Sequence, residues 1–187
     1  MHPTLMHGPL HFLFHNAFLH GATSYGESGT KFSLAALPGE TILLFRTDDR
    51  GEGGKKNDRK GGGTFCSYFN IKDNEKCSDL LLFYAREQPD GAFRYRLAFI
   101  ELKGTDAAHG VEQLDRVMHA VKLKLPATLK SSFFRPECLR AIILSSRASP
   151  NTSSYARRVK EFRDEWRISP ELCHPKKEDE LRAYLLK

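Results

Sequence analysis

The sequence predicts a mixed α/β fold, and three observations carry that expectation. Short apolar runs of strand length recur at 41–47, 64–71, 78–85, 93–102 and 139–146. Stretches with apolar residues at helical spacing lie around them, at 9–20, 107–125 and 149–166. The order of helix, strands with a hairpin, helix, strand and helix predicts a mixed sheet with helices packed on it. No internal repeat and no second domain is visible, so residues 1–187 are expected to form a single domain.

Residues 9–20, PLHFLFHNAFLH, carry apolar side chains at 10, 13, 14, 17 and 18, which predicts a helix with its histidines mostly on the other face. GATSYGESGTK after it reads as loop. TILLFRT, 41–47, reads as a strand. Residues 48–63, DDRGEGGKKNDRKGGG, are rich in Gly, Lys, Arg and Asp and nearly free of apolar side chains. Such a run buries nothing and is expected to be a flexible loop. TFCSYFNI, 64–71, alternates and predicts a strand; SDLLLFYA, 78–85, and FRYRLAFIEL, 93–102, predict two more. The Pro-Asp-Gly between the last two predicts an antiparallel hairpin.

In AAHGVEQLDRVMHAVKLKL, residues Val111, Leu114, Val117, Met118 and Val121 share one helical face, and Pro126 closes the helix. LRAIILSS, 139–146, is a continuous apolar run of the buried-strand kind. Residues 149–166 offer Ser and Thr caps and then a strongly charged helix. KEDELRAYLLK predicts a last short helix.

The totals bound the function. Forty per cent of residues are apolar, with 13 Phe and 6 Tyr, enough for a real core. A formal net charge of +6 favours a polyanion partner such as nucleic acid. Cys66, Cys77, Cys138 and Cys173 form no CxxC, which argues against a zinc knuckle. They are expected to be reduced structural thiols, in keeping with a cytoplasmic setting. The first twenty residues lack the basic and uninterrupted apolar regions of a signal peptide. No stretch approaches the ~18 apolar residues of a membrane span.

AFIELKG, residues 98–104, places an acid and a base two residues apart at the end of an apolar run. Asp79 begins the preceding run. In a hairpin turning near residues 89–91, Asp79 and Glu101 lie at matching distances from the turn and so side by side. Glu101 and Lys103 share a face. Two close carboxylates repel, and burial worsens the repulsion unless a divalent cation sits between them. Hard oxygen ligands of this kind suit Mg²⁺ or Mn²⁺, with water and substrate phosphate completing the shell. A metal, a lysine beside it and a basic chain point to phosphodiester hydrolysis. The competing reading makes Glu101 and Lys103 an exposed edge-strand pair and Asp79 a strand-start cap.

CSDLLLF…FIELKG…EQL resembles the PD-(D/E)XK nuclease superfamily, the restriction-endonuclease-like fold. Its core carries an Asp on one strand, Glu-x-Lys on the next, and then a helix. Asp79, Glu101 and Lys103 match those positions. Ser78 stands where the signature proline is usually written. Gln113 resembles the helix glutamine of the RecB-like branch, although Val117 stands where that branch has tyrosine. The likeness covers residues 64–146. It implies a Mg²⁺- or Mn²⁺-dependent deoxyribonuclease in which Asp79, Glu101 and the carbonyl of Leu102 bind the metal. Lys103 would act on the attacking water, and Gln113 on that water or the scissile phosphate. A homodimer or a larger complex is implied for cutting duplex, and a host-defence role fits small nucleases of this kind. The alternatives are an RNA- or structure-selective nuclease, and a non-catalytic nucleic-acid-binding or assembly subunit that keeps the fold.

Further candidates are weaker. His11 and His15 share a helix face but have no visible third ligand, so a solvated face is the expectation. Glu27 and Glu40 are the acids available to supplement the site from the N-terminal side, Glu40 directly before a strand. Lys55, Lys56, Arg59 and Lys60 form a candidate arm for backbone phosphates. Arg157, Arg158, Lys160 and Arg163, mixed with acids, read as a salt-bridged surface helix. Cys77 has no histidine near it in sequence and reads as a packed thiol.

Overall fold

A computed structural model describes residues 9–27, 29–47, 65–72, 76–145, 147, 152–174 and 176–186. The loop expected at 48–63, with Lys55, Lys56, Arg59 and Lys60, lies outside the described residues. The described chain is mixed α/β. A five-stranded sheet runs in the order β3 (Glu40–Arg46), β4 (Leu80–Glu87), β5 (Phe93–Leu102), β6 (Leu139–Leu144), β7 (Glu171–Cys173). β3, β4 and β5 are antiparallel; β6 joins β5, and β7 joins β6, in parallel. The β4–β5 hairpin turns as Pro-Asp-Gly demands: Gly91 takes φ +77°, and the Asp90 carboxylate accepts the Ala92 N–H at 3.0 Å.

The parallel step from β5 to β6 needs a crossover, which α3 (Ala107–Lys124) supplies. Asp106 caps α3 by accepting the His109 N–H at 3.0 Å, and Lys122 and Lys124 lie in its last turn, where cations favour the dipole. Leu125, held extended before Pro126, ends it. Val111, Leu114, Val117, Met118 and Val121 are all buried against the sheet. α5 (Ser153–Trp166) begins at Thr152, whose hydroxyl accepts the Tyr155 N–H, and packs on α3 through Trp166. The Trp166 indole donates to Asp115 at 2.7 Å, and Lys122 sits over its ring.

Each sheet face has its own core. Odd-numbered side chains of β3–β5, such as Phe45, Leu81 and Phe99, pack with Ala141 and Ile143 of β6 beneath α3 and α5. Even-numbered ones, such as Leu44, Leu80, Leu82 and Ile100, pack with α6 (Glu178–Leu186) and a small hairpin, β1 (Ser24–Glu27) with β2 (Thr30–Ser33). β6 is buried throughout, and apolar but for Arg140, because both its faces are covered.

Four expectations are corrected. The predicted loop after residue 20 contains the β1–β2 hairpin. Phe32 and Leu34 anchor it in the second core, and Gly29 at φ +74° makes its turn. The predicted strand 64–71 is the short helix α2 (Phe65–Tyr68) followed by a turn; Phe65 and Phe69, four apart, face Phe12. The helix over 9–20 is α1 (Pro9–Phe12) continuing into one π-helical turn, Leu13–Ala17. Cys66 and Cys77 are bonded to each other as α2 lies against the lead-in to β4, while Cys138 and Cys173 are free and buried. The short helix α4 (Ala127–Phe133) and the edge strand β7 were not foreseen. Among the described residues no helix is long and apolar enough to cross a membrane.

Candidate active site

The register builds the site. Arg46, Leu80 and Ile100 share the last rung of β3, β4 and β5, and Thr47, Asp79 and Glu101 each stand one residue beyond it. Backbone bonds continue there: the Thr47 N–H donates to Asp79 at 3.0 Å, and the Asp79 N–H to Ile100 at 3.1 Å. Asp79 is thus bonded to the carbonyl that immediately precedes Glu101, which brings the two acids to the same end of the hairpin. Both are buried, at 4% and 1% exposure. Asp79 Oδ2 accepts the Leu102 N–H at 2.6 Å, so the carboxylate closes the ladder where β4 has ended. The edge-strand alternative for Glu101 fails, because β5 has partners on both sides.

Lys103 Nζ lies 2.6 Å from Glu101 Oε1, and the Lys103 side chain is 16% exposed, so this corner of the pair meets solvent. The same ammonium donates to Gln113 Oε1 on α3. Gln113, 3% exposed, spends its amide nitrogen on the Cys77 carbonyl at 2.7 Å. Its amide therefore ties the lysine to the lead-in of β4, and both of its ends are engaged within the chain. The formal charge of Asp79, Glu101 and Lys103 together is −1.

Sequence reasoning missed the supports. Thr47 donates its hydroxyl to the Ser78 carbonyl. Thr30 reaches the Lys103 carbonyl at 3.3 Å, and Ser145 the Gly104 carbonyl at 2.9 Å. Thr47 and Ser145 each end an apolar strand run, and that was the available signal. Gly110 is the other omission. A Cβ there would stand 3.3 Å from Ile143 Cδ1 and Lys103 Cγ, and 3.5 Å from Glu101 Cγ. α3 thus presses its backbone onto the two charged side chains.

Other candidates fall elsewhere. Glu40 begins β3, at the far end from Thr47, and is no part of the site. Tyr84 donates to it at 2.7 Å, the Leu37 N–H at 3.0 Å, and Arg182 pairs with it. Burial raises the Glu40 pKa, but these three donors outweigh burial and hold it below the ordinary value. Of Glu27 only the backbone is described, in β1. His109 contacts Glu112 at 3.2 Å, and Glu112 pairs with Arg158 of α5. Arg157 and Arg158 also pair with Glu161, as a salt-bridged surface helix requires. The His11 and His15 rings lie 4.1 Å apart. Among the described residues no group of three or more His, Cys, Asp or Glu is placed to hold a metal.

No protein-family model matches the chain, and no curated protein or solved structure is significantly similar to it.

Proposed function

We propose that the chain is a metal-dependent nuclease with a restriction-endonuclease-like core, acting on DNA through Asp79, Glu101 and Lys103. The observation that carries this reading is that Asp79 and Glu101 lie buried just beyond the last rung of the β4–β5 ladder, with Lys103 paired to Glu101 and hydrogen-bonded to Gln113. The order of hairpin, helix α3 and strand β6 around the pair supports it.

The donors fit a hard divalent cation. Mg²⁺ is usually held by one or two carboxylates, with water and substrate phosphate completing the shell. Asp79 and Glu101 would be two such ligands, and the backbone of Leu102, whose N–H already bonds Asp79, would offer a carbonyl. A bound Mg²⁺ or Mn²⁺ supplies Lewis acidity at a phosphate oxygen and makes water a better nucleophile. The chain's own groups do the rest. Lys103, held by Glu101 and Gln113, orients the attacking water and stabilises charge building on the phosphate. Gln113 positions that ammonium. Burial of both acids keeps bulk water from screening these charges. Cutting both strands of a duplex takes two such sites, so a homodimer on DNA is the expected working form.

The test is a cleavage assay with Mg²⁺ or Mn²⁺ on duplex, single-stranded, branched and RNA substrates. Glu101→Gln and Lys103→Met should each lose about 10²-fold or more in rate, the scale of removing one electrostatic group from a site. Glu101→Gln should still bind DNA. No metal-dependent cutting of any substrate by the wild type, with binding intact, would favour the non-catalytic subunit. Cutting of RNA or branched DNA alone would keep the site and change the substrate.

A further inference from the structure

The far end of the sheet, about 20 Å along β5 from Glu101, carries an excess of arginines. Arg86 of β4 and Arg94 of β5 face each other across the ladder. Like charges so placed cost stability when nothing lies between them. Arg96 follows Arg94 on the same face and is 5% exposed; Arg140 of β6, opposite Ala98, is 7% exposed.

Their partners are carbonyls. Arg140 donates to Tyr184 at 3.2 Å and to Leu139 at 2.7 Å, and Arg94 to Leu186 at 3.3 Å, the last turn of α6. Arg96 donates to Tyr95 at 2.9 Å, and its buried Nε has no hydrogen-bond partner. Among the described residues the arginine ion pairs belong to Arg135, Arg157, Arg158 and Arg182, and Arg86, Arg94, Arg96 and Arg140 take part in none. A buried guanidinium without a carboxylate is costly to fold. Burial, and then the charges of Arg140 and Arg94, hold the Arg96 pKa below its ordinary value. A cleft of about 510 Å³ opens here, lined by Gly39, Arg86, Gln88, Arg94 and Leu186, with Glu87 its one acid.

We propose that this cleft binds an oxyanion of the phosphate class, with Arg86 and Arg94 as direct donors and Arg96 and Arg140 supplying positive charge behind them. Guanidinium forks match phosphate oxygens two at a time, and an anion between Arg86 and Arg94 turns their repulsion into a clamp. The site is separate from Glu101 and independent of the nuclease reading. The phosphate could belong to a free anion or to a nucleic-acid backbone.

The experiment titrates inorganic phosphate, and separately a short DNA duplex, into three proteins in phosphate-free buffer at fixed ionic strength. They are the wild type, Arg86→Gln/Arg94→Gln, and Lys160→Gln/Arg163→Gln, which removes equal charge from exposed positions of α5. Thermal stability and chemical shifts of the β4–β5 turn are followed. The wild type and the α5 control should bind phosphate alike, and Arg86→Gln/Arg94→Gln about tenfold or more weaker. Weaker duplex binding in that variant than in the control assigns the site to backbone phosphate, and equal binding assigns it to a free anion. No phosphate response in the wild type, or an equal one in all three proteins, overturns the proposal.

Discussion

At the scale of single residues, Gly110 is the most constrained position that carries no chemistry. Alanine in place of a helical glycine normally stabilises by ~1 kcal/mol. Here the added methyl meets Lys103 and Ile143 at 3.3 Å, so the gain is spent on moving them. Gly110→Ala is expected to change stability by less than about 1 kcal/mol. Gly110→Val should remain folded but displace Lys103, and cleavage should fall about tenfold or more with thermal unfolding still cooperative. A Gly110→Val protein that cuts at the wild-type rate would show that this close approach does not position the lysine. The charged residues here were legible because Asp, Glu and Lys are costly at the ends of apolar runs. Gly110 was not, since a glycine in a helical pattern reveals its neighbour only once the strand beneath it is known.

At the scale of elements, the last helix is held by charge as much as by packing. α6 buries Leu181 and Leu185. Arg182 reaches back to Glu40 of β3, to Glu178 at 2.9 Å and to the Ala35 carbonyl at 2.7 Å. Glu40 has its pKa lowered in the folded chain, so its stabilisation is complete above the ordinary glutamate value of 4.5 and is lost as pH falls through the folded value. Tyr84 mirrors this at the other extreme. Burial, and then its bond to Glu40, push it up to about 12, so its share is present below pH 10 and lost towards 12. Glu40→Ala should cost about 1–3 kcal/mol at neutral pH by taking the acceptor from Tyr84 and the Leu37 N–H and one of two carboxylates from Arg182, and should flatten the acid limb of stability against pH. Denaturant unfolding of both proteins between pH 3 and 7, a range set by carboxylate titration, checks this. Parallel acid limbs would remove Glu40 from the account.

The same scale shows what the sequence could disclose. β4, β5, β6, α3 and α5 were readable because each has one strong period and a cap or turn of known chemistry, such as Pro-Asp-Gly at 89–91 or Thr152. TFCSYFNI misled, because aromatic residues at 65 and 69 satisfy a helical period as well as the alternation of a strand. β7 is three residues long and carries no period of its own. The β1–β2 hairpin hid behind turn-forming residues; Phe32 and Leu34 hold it in the second core, with Ala22 and Tyr25 packed against them. Glu40 was misplaced for a different reason. Preceding a strand says nothing about which end of the sheet that strand presents, and an antiparallel neighbour reverses it.

At the scale of the molecule, the sheet separates two concentrations of charge, acids with one lysine at one end and arginines at the other. β5 spans both and pairs antiparallel on one side and parallel on the other. Its partner β4 is close in sequence. β6 arrives only after α3 and α4, and β3 pairs across the whole segment between 47 and 79. Closing a short loop is entropically cheaper than closing a long one, so the β4–β5 ribbon should organise ahead of the other pairings. That ribbon brings Asp79 and Glu101 to one end of the hairpin before α3 can deliver Gln113, and like charges gathered there oppose its closure. Glu101→Gln should therefore refold faster than the parent chain at low ionic strength, with the advantage shrinking as salt is added. Superimposable refolding limbs in stopped-flow chevrons would mean that the ribbon forms after the barrier rather than on the way up to it.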